Sequence, residues 1–181
     1  MSSRSRAARV SSVLAAATLF AAVPQSLGAV GRPKPTQPVS GGDAAAVERA
    51  RSGAVRKLYD PECLKVLTDF RDREGRTLAE NLSTWGMSAA DYLRLLPFRH
   101  GAAAPLCRRE TVALATTPGV PPVFVCPAAG GESRSRFAGV EAENASLAEA
   151  MVIHEMLHTL GLGENPPTQS EITASVRARC R

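Results

Sequence analysis

Residues 146–165 read SLAEAMVIHEMLHTLGLGEN, and both the fold and the chemistry of the chain turn on this stretch. Ser146 followed three residues later by Glu149 has the form of a capping box, which predicts a helix beginning at Ser146. On that helix His154 and His158 stand about one turn apart on one face, the spacing at which two imidazoles reach a single tetrahedral cation such as Zn²⁺. Glu155 lies about 100° around the axis from His154, beside such a cation rather than on it, where a carboxylate can serve as general base towards water. Met151, Val152, Leu157 and Leu160 supply an apolar face, and Gly161 supplies the left-handed stop at the helix end. The chain reverses there and returns Glu164, ten residues after His154, as a third ligand.

The pattern His-Glu-x-x-His-x-x-Gly-x-x-Glu over 154–164 resembles the extended zinc motif of the metzincin peptidases, whose last position is usually His and in some secreted bacterial members Asp. That resemblance implies zinc ligands at His154, His158 and Glu164 and a catalytic base at Glu155. The longer stretch through Pro167 also looks like the C-terminal region of a group of exported bacterial proteins with a predicted peptidase site. Glu stands at the last ligand position and no Met follows Met156 to form a Met-turn, so the class expected is a small zincin-like domain. A rival third ligand is Glu171, the analogue of the glutamate that gluzincins supply from a following helix. Thr168 to Glu171 is itself a capping box behind Pro166 and Pro167, so Glu164 is preferred as ligand and Glu171 is read as a cap. His100 sits beside Gly101 and reads as a surface residue of a loop.

Upstream, short helices with their own start signals are expected over 43–58, from Asp60-Pro61 through Phe70, over 77–85 and from Ser88 through Leu96. They read as scaffold. Glu110 to Thr117 and Pro122 to Cys126 are rich in Val, Thr and Phe and flank a Pro118-Gly119 turn, which predicts an antiparallel hairpin. Gly130 to Gly139 reads as a loop that delivers the chain to the histidine helix. The fold class is therefore α+β: a mostly helical, small zincin-like domain with a short antiparallel β-hairpin packed near the HExxH helix.

At the N-terminus, Arg4, Arg6 and Arg9 precede an apolar run from Val10 to about Val23 that ends in small residues, the form of a Sec-type signal peptide over 1–29. The run is shorter than the roughly 20 residues that span a bilayer, so no membrane span is expected after cleavage near Ala29. Residues 30–43 form a Pro- and Gly-rich linker, and 44–181 form the domain. Removing the leader takes away three arginines and no acid, so the formal charge falls from +5 to +2. No dense Lys/Arg cluster interleaved with aromatics remains, which argues against nucleic acid as a partner. Cys63, Cys107, Cys126 and Cys180 form no CxxC pair, and a secreted or periplasmic location makes two disulfides the expectation. Three connectivities are open, with Cys107–Cys126 and Cys63–Cys180 preferred because the second ties the C-terminal helix to the body.

The function expected is that of an exported, monomeric zinc peptidase acting on a peptide or protein substrate, with Glu155 as general base. Tyr59 and Tyr92 are candidates to donate a hydrogen bond to the oxyanion. The alternative is a non-catalytic exported metal-binding or adhesion module with a structural zinc. Glu155 argues against it, since a structural site needs ligands and no base.

Overall fold

The computed structural model describes residues 37–108, 112–128 and 134–181. The leader and the first half of the linker, residues 30–36, lie outside the described residues, and the last three positions read as linker, 41–43, belong to the first helix. Among the described residues are α1 (Gly41–Lys57), α2 (Pro61–Leu64), α3 (Val66–Asp69), α4 (Leu78–Ser83) and α5 (Ala89–Leu95). Strand β1 (Phe98–His100), a 3₁₀ turn (Pro105–Arg108), β2 (Leu114–Thr117) and β3 (Val120–Val125) follow. The chain ends in α6 (Arg136–Glu143), α7 (Ala145–Thr159) and α8 (Gln169–Arg179). The mostly helical α+β class holds, and no described helix is long and apolar enough to cross a membrane.

Three of the four start signals read upstream do their expected work, but Asp43 does not cap the first helix: α1 begins at Gly41 behind Ser40, and Asp43, inside its first turn, accepts instead from the Ser135 N–H at 2.9 Å. Asp60, Thr77 and Ser88 each accept a backbone N–H of the helix they open, and Thr77 with Glu80 forms a full capping box. The segment after Asp60 is two single turns, α2 and α3, divided at Lys65.

Helix α7 begins earlier than the capping-box reading placed it. Asn144 is its N-cap, accepting from the Leu147 N–H at 3.0 Å. Asn is among the best N-caps, and it stands two residues ahead of Ser146. Ser146 and Glu149 are then freed for α1: Lys57 Nζ donates to Ser146 Oγ at 3.3 Å and pairs with Glu149 at 3.0 Å. Both charged side chains are largely withdrawn from solvent there. A Cβ at Gly53 would overlap the Glu149 side chain, so glycine here leaves room for that carboxylate in its pairing with Lys57.

Two other elements differ from expectation. The segment read as a loop over 130–139 contains the first half of α6, capped by Ser135, whose Oγ accepts from the Ala138 N–H at 3.1 Å. Phe137 is fully buried and Glu141 binds Arg49 through two contacts of 2.8 and 2.5 Å, so tertiary partners carry a helix that Gly139 weakens. The hairpin exists, with Leu114 opposite Val125 and Ala115 opposite Phe124, but it is part of a three-stranded sheet of order β1-β3-β2. Strand β1 runs parallel to β3, pairing Phe98 with Val123 and His100 with Val125. His100 is thus the end of a strand, half-buried, and not a loop residue.

Helix α7 is the centre. It packs against α1, α6, α8 and both strands of the hairpin, and every residue from Val152 to Leu160 is buried. A helix covered on all sides is a core element rather than a surface amphipath. The expected disulfides are both present: Cys63–Cys180 fastens the end of α8 to α2, and Cys107–Cys126 fastens the 3₁₀ turn to the end of β3. The described residues contain no free cysteine.

Candidate metal centre

The C-terminus of α7 builds the site. Gly161, at φ +110°, donates to the His158 carbonyl at 2.9 Å, and Leu162 N–H reaches back to the Leu157 carbonyl at 3.2 Å. That pair of bonds is a Schellman motif, and its usual apolar contact is available because Leu157 and Leu162 are both fully buried. The reversal aims the Leu162 carbonyl at the ring of His158, whose Nδ1 donates to it at 2.7 Å. Two residues later it delivers Glu164. The Gly119 N–H of the β2–β3 turn also donates to the His158 carbonyl, at 2.8 Å, so the sheet is fixed to the same end of the helix.

The Leu162 carbonyl can only accept, so the proton of neutral His158 sits on Nδ1 and the Nε2 lone pair is free. It faces His154 Nε2 at 2.9 Å and Glu164 Oε1 at 3.3 Å. His154 Nδ1 lies 2.9 Å from the Thr173 hydroxyl of α8. That hydroxyl can accept as well as donate, so the tautomer that turns the second Nε2 lone pair to the same point is also satisfied. Burial, reinforced by the neighbouring imidazole, pushes His154 down to about 3, which keeps it neutral at physiological pH.

His154, His158 and Glu164 therefore each offer one ligand atom, all within 4.8 Å of one another. Tetrahedral zinc with bonds of about 2.0–2.1 Å separates neighbouring donors by roughly 3.3 Å, so the donor set fits such an ion with small adjustments. Two neutral imidazoles and one carboxylate also suit zinc chemically and leave a fourth position for a water or substrate atom. Glu171 is not in this group: it closes the capping box of α8, accepting from the Thr168 N–H at 2.7 Å.

Glu155 is buried beside the triad and makes no hydrogen bond among the described residues. Burial, with a smaller contribution from the Glu164 charge, pushes its carboxyl up to about 8. It lines a cleft of about 420 Å³ together with His158, Glu164 and three residues of β2, Leu114, Ala115 and Thr116. Strand β2 is an edge of the sheet, and three of its residues line this cleft.

The structure separates other residues from the site. Tyr92 donates to Thr159 Oγ1 at 3.1 Å, Tyr59 accepts from Arg94 Nη2 at 2.5 Å, and neither lines the cleft. His100 is outside the metal-ligating group. Thr173, the Leu162 carbonyl and Arg73, which also lines the cleft, were not marked by the sequence; each arrives through tertiary packing and carries no local motif. No family model matches the chain, and no curated protein or solved structure matches it either.

Proposed function

We propose that the chain is a zinc-dependent peptidase in which His154, His158 and Glu164 hold the metal and Glu155 moves the proton. The observation that carries this reading is the convergence of three donor atoms next to a buried, unpartnered carboxyl, at a cleft bordered by an edge strand. Zinc held there would supply Lewis acidity, polarising a carbonyl and making water a better acid.

Glu155 is suited to both directions of proton transfer. Its carboxyl sits near 8, and positive charge at the neighbouring triad favours the ionised form, so it can take a proton from water and return it to a leaving amine. As an edge strand lining the cleft, β2 can pair with the backbone of an extended peptide, which would orient the scissile bond across the cleft. The disulfides fit an exported protein of this kind.

Incubating the zinc-loaded chain with a broad peptide library tests the reading. Glu155→Gln keeps the size of the side chain but removes the base, so it is expected to retain zinc near wild-type stoichiometry and to lose cleavage by about 10²-fold or more. A chain that cleaves nothing when zinc is bound, or a Glu155→Gln variant as active as wild type, would refute it. Zinc that only fastens the fold would leave both proteins equally stable and equally inert.

A further inference from the structure

One charged side chain of the cleft has no part in the chemistry above. Two carboxylates line the cleft, Glu164 as a member of the triad and Glu155 beside it. The remaining walls include Pro105, Leu106, Val112, Leu114 and Pro118, all apolar. Arg73 is the one Arg or Lys among the lining residues, and it has no hydrogen bond or ion pair among the described residues.

The turn that presents Arg73 is built and anchored. Asp72 accepts the backbone N–H groups of Glu74 and Arg76 at 3.0 and 2.9 Å and the Arg76 side chain at 3.0 Å. Asn81 Nδ2 donates both to Asp72, at 2.8 Å, and to the Leu160 carbonyl at the end of α7, at 2.9 Å. Hence the segment that carries Arg73 is tied to the helix that carries the histidines. Arg73 Nε lies 3.6 Å from where a Cβ on Gly163 would stand, so its guanidinium borders the backbone immediately before Glu164. While Arg76 is committed to Asp72, Arg73 faces the cleft with its donors unused.

We infer that Arg73 binds a carboxylate of the substrate, so that the enzyme favours peptides carrying an acidic side chain or a free C-terminus close to the scissile bond. The inference rests on the peptidase reading. A guanidinium is permanently charged and presents a planar fork that matches a carboxylate through two parallel N–H···O bonds. Arg73 is exposed in the free chain, so the pairing strengthens only as a bound peptide covers it against the apolar walls of the cleft.

Matched fluorogenic peptides test this on the zinc-loaded chain, one set exchanging Asp or Glu for Asn or Gln on either side of the cleaved bond, the other exchanging a free for an amidated C-terminus. The acid member is expected to exceed its amide partner in kcat/KM by about 10- to 100-fold, the scale of a charge-assisted hydrogen bond, and the set that shows the effect identifies the source of the carboxylate. In Arg73→Gln the acid-to-amide ratio should fall to within about twofold of unity, and in Arg73→Glu it should invert in favour of peptides with Lys at that position. Calorimetric titration of zinc-loaded Glu155→Gln, with and without Arg73→Gln, by the same peptides reads the site without turnover. Acid-selective binding that depends on Arg73, with no cleavage by the wild-type chain, would support the carboxylate site and refute the peptidase reading. Equal binding of acid and amide peptides, or a preference that survives Arg73→Gln, overturns the inference whatever the cleavage assay gives.

Discussion

His154 has both ring nitrogens occupied, by the Thr173 hydroxyl at 2.9 Å on one side and by His158 at 2.9 Å on the other. A hydroxyl that accepts from Nδ1 fixes the tautomer whose Nε2 can donate a lone pair, as partners behind metal-bound imidazoles generally do. Thr173→Val keeps the shape and removes the acceptor, so zinc affinity is expected to fall about 10- to 100-fold, while Thr173→Ser restores most of it. Chelator competition measures both. A valine variant with wild-type affinity would show that Thr173 only packs. The two histidines, Glu155 and Glu164 were legible because their relation is local, fixed by helical spacing and by one turn after Gly161. Thr173 was not, because its partnership exists only once α8 lies against α7.

At the scale of elements, the C-terminus of α7 is a junction where a Schellman turn, a sheet turn and a part-buried Asp72–Asn81 pair all meet. Gly161 occupies φ +110°, and a Cβ there would stand 3.3 Å from both Asn81 and Asp72. Gly161→Ala is expected to cost about 1–2 kcal/mol in chemical denaturation, through a backbone conformation that L-residues resist. Because that turn places both the Leu162 carbonyl and Glu164, zinc affinity should fall with it.

Asp72 gives the junction a pH signature. The Asn81 hydrogen bond, helped by the Arg76 backbone and side chain, holds its carboxyl down at about 2 against an ordinary 3.8. A depressed carboxyl contributes stability that is complete above the unfolded value and is lost as pH falls through the folded one. Stability from this group should therefore decline between pH 3.8 and about 2. Asp72→Asn should be less stable at neutral pH and flatter across that window in acid-unfolding curves. An unchanged slope would remove Asp72 from the account. The Gly161 stop was readable from sequence, whereas this network was not, since Asn81 meets Asp72 across a turn with no motif of its own and joins the Leu160 carbonyl from 79 positions away.

Over the whole molecule, the caps at Asp60, Thr77, Ser88 and Thr168 and the two disulfides made much of the α+β layout legible. The misreadings share a cause. Strand β1 has three residues, too few for an alternation to register, and exists by pairing with β3 more than twenty positions away. Helix α6 contains Gly139 and an arginine-flanked start, and is held by Phe137 in the core and by the Arg49–Glu141 pair. Ser146 and Glu149 satisfied a capping pattern, yet a mostly buried Lys57 took both. In each case a long-range contact outweighed the local signal.

The central claim is that His154, His158 and Glu164 make one zinc site and that Glu171 is only a cap. Competition titration of zinc against a chelator, run on wild type, Glu164→Ala and Glu171→Ala, tests it most directly. One ligand carries several kcal/mol of zinc binding, so Glu164→Ala should weaken affinity by about 100-fold or more. Glu171→Ala should keep wild-type affinity and lose only about 1 kcal/mol of folding stability with its capping box. Tight zinc in Glu164→Ala together with metal loss in Glu171→Ala would contradict the account and move the third ligand onto α8.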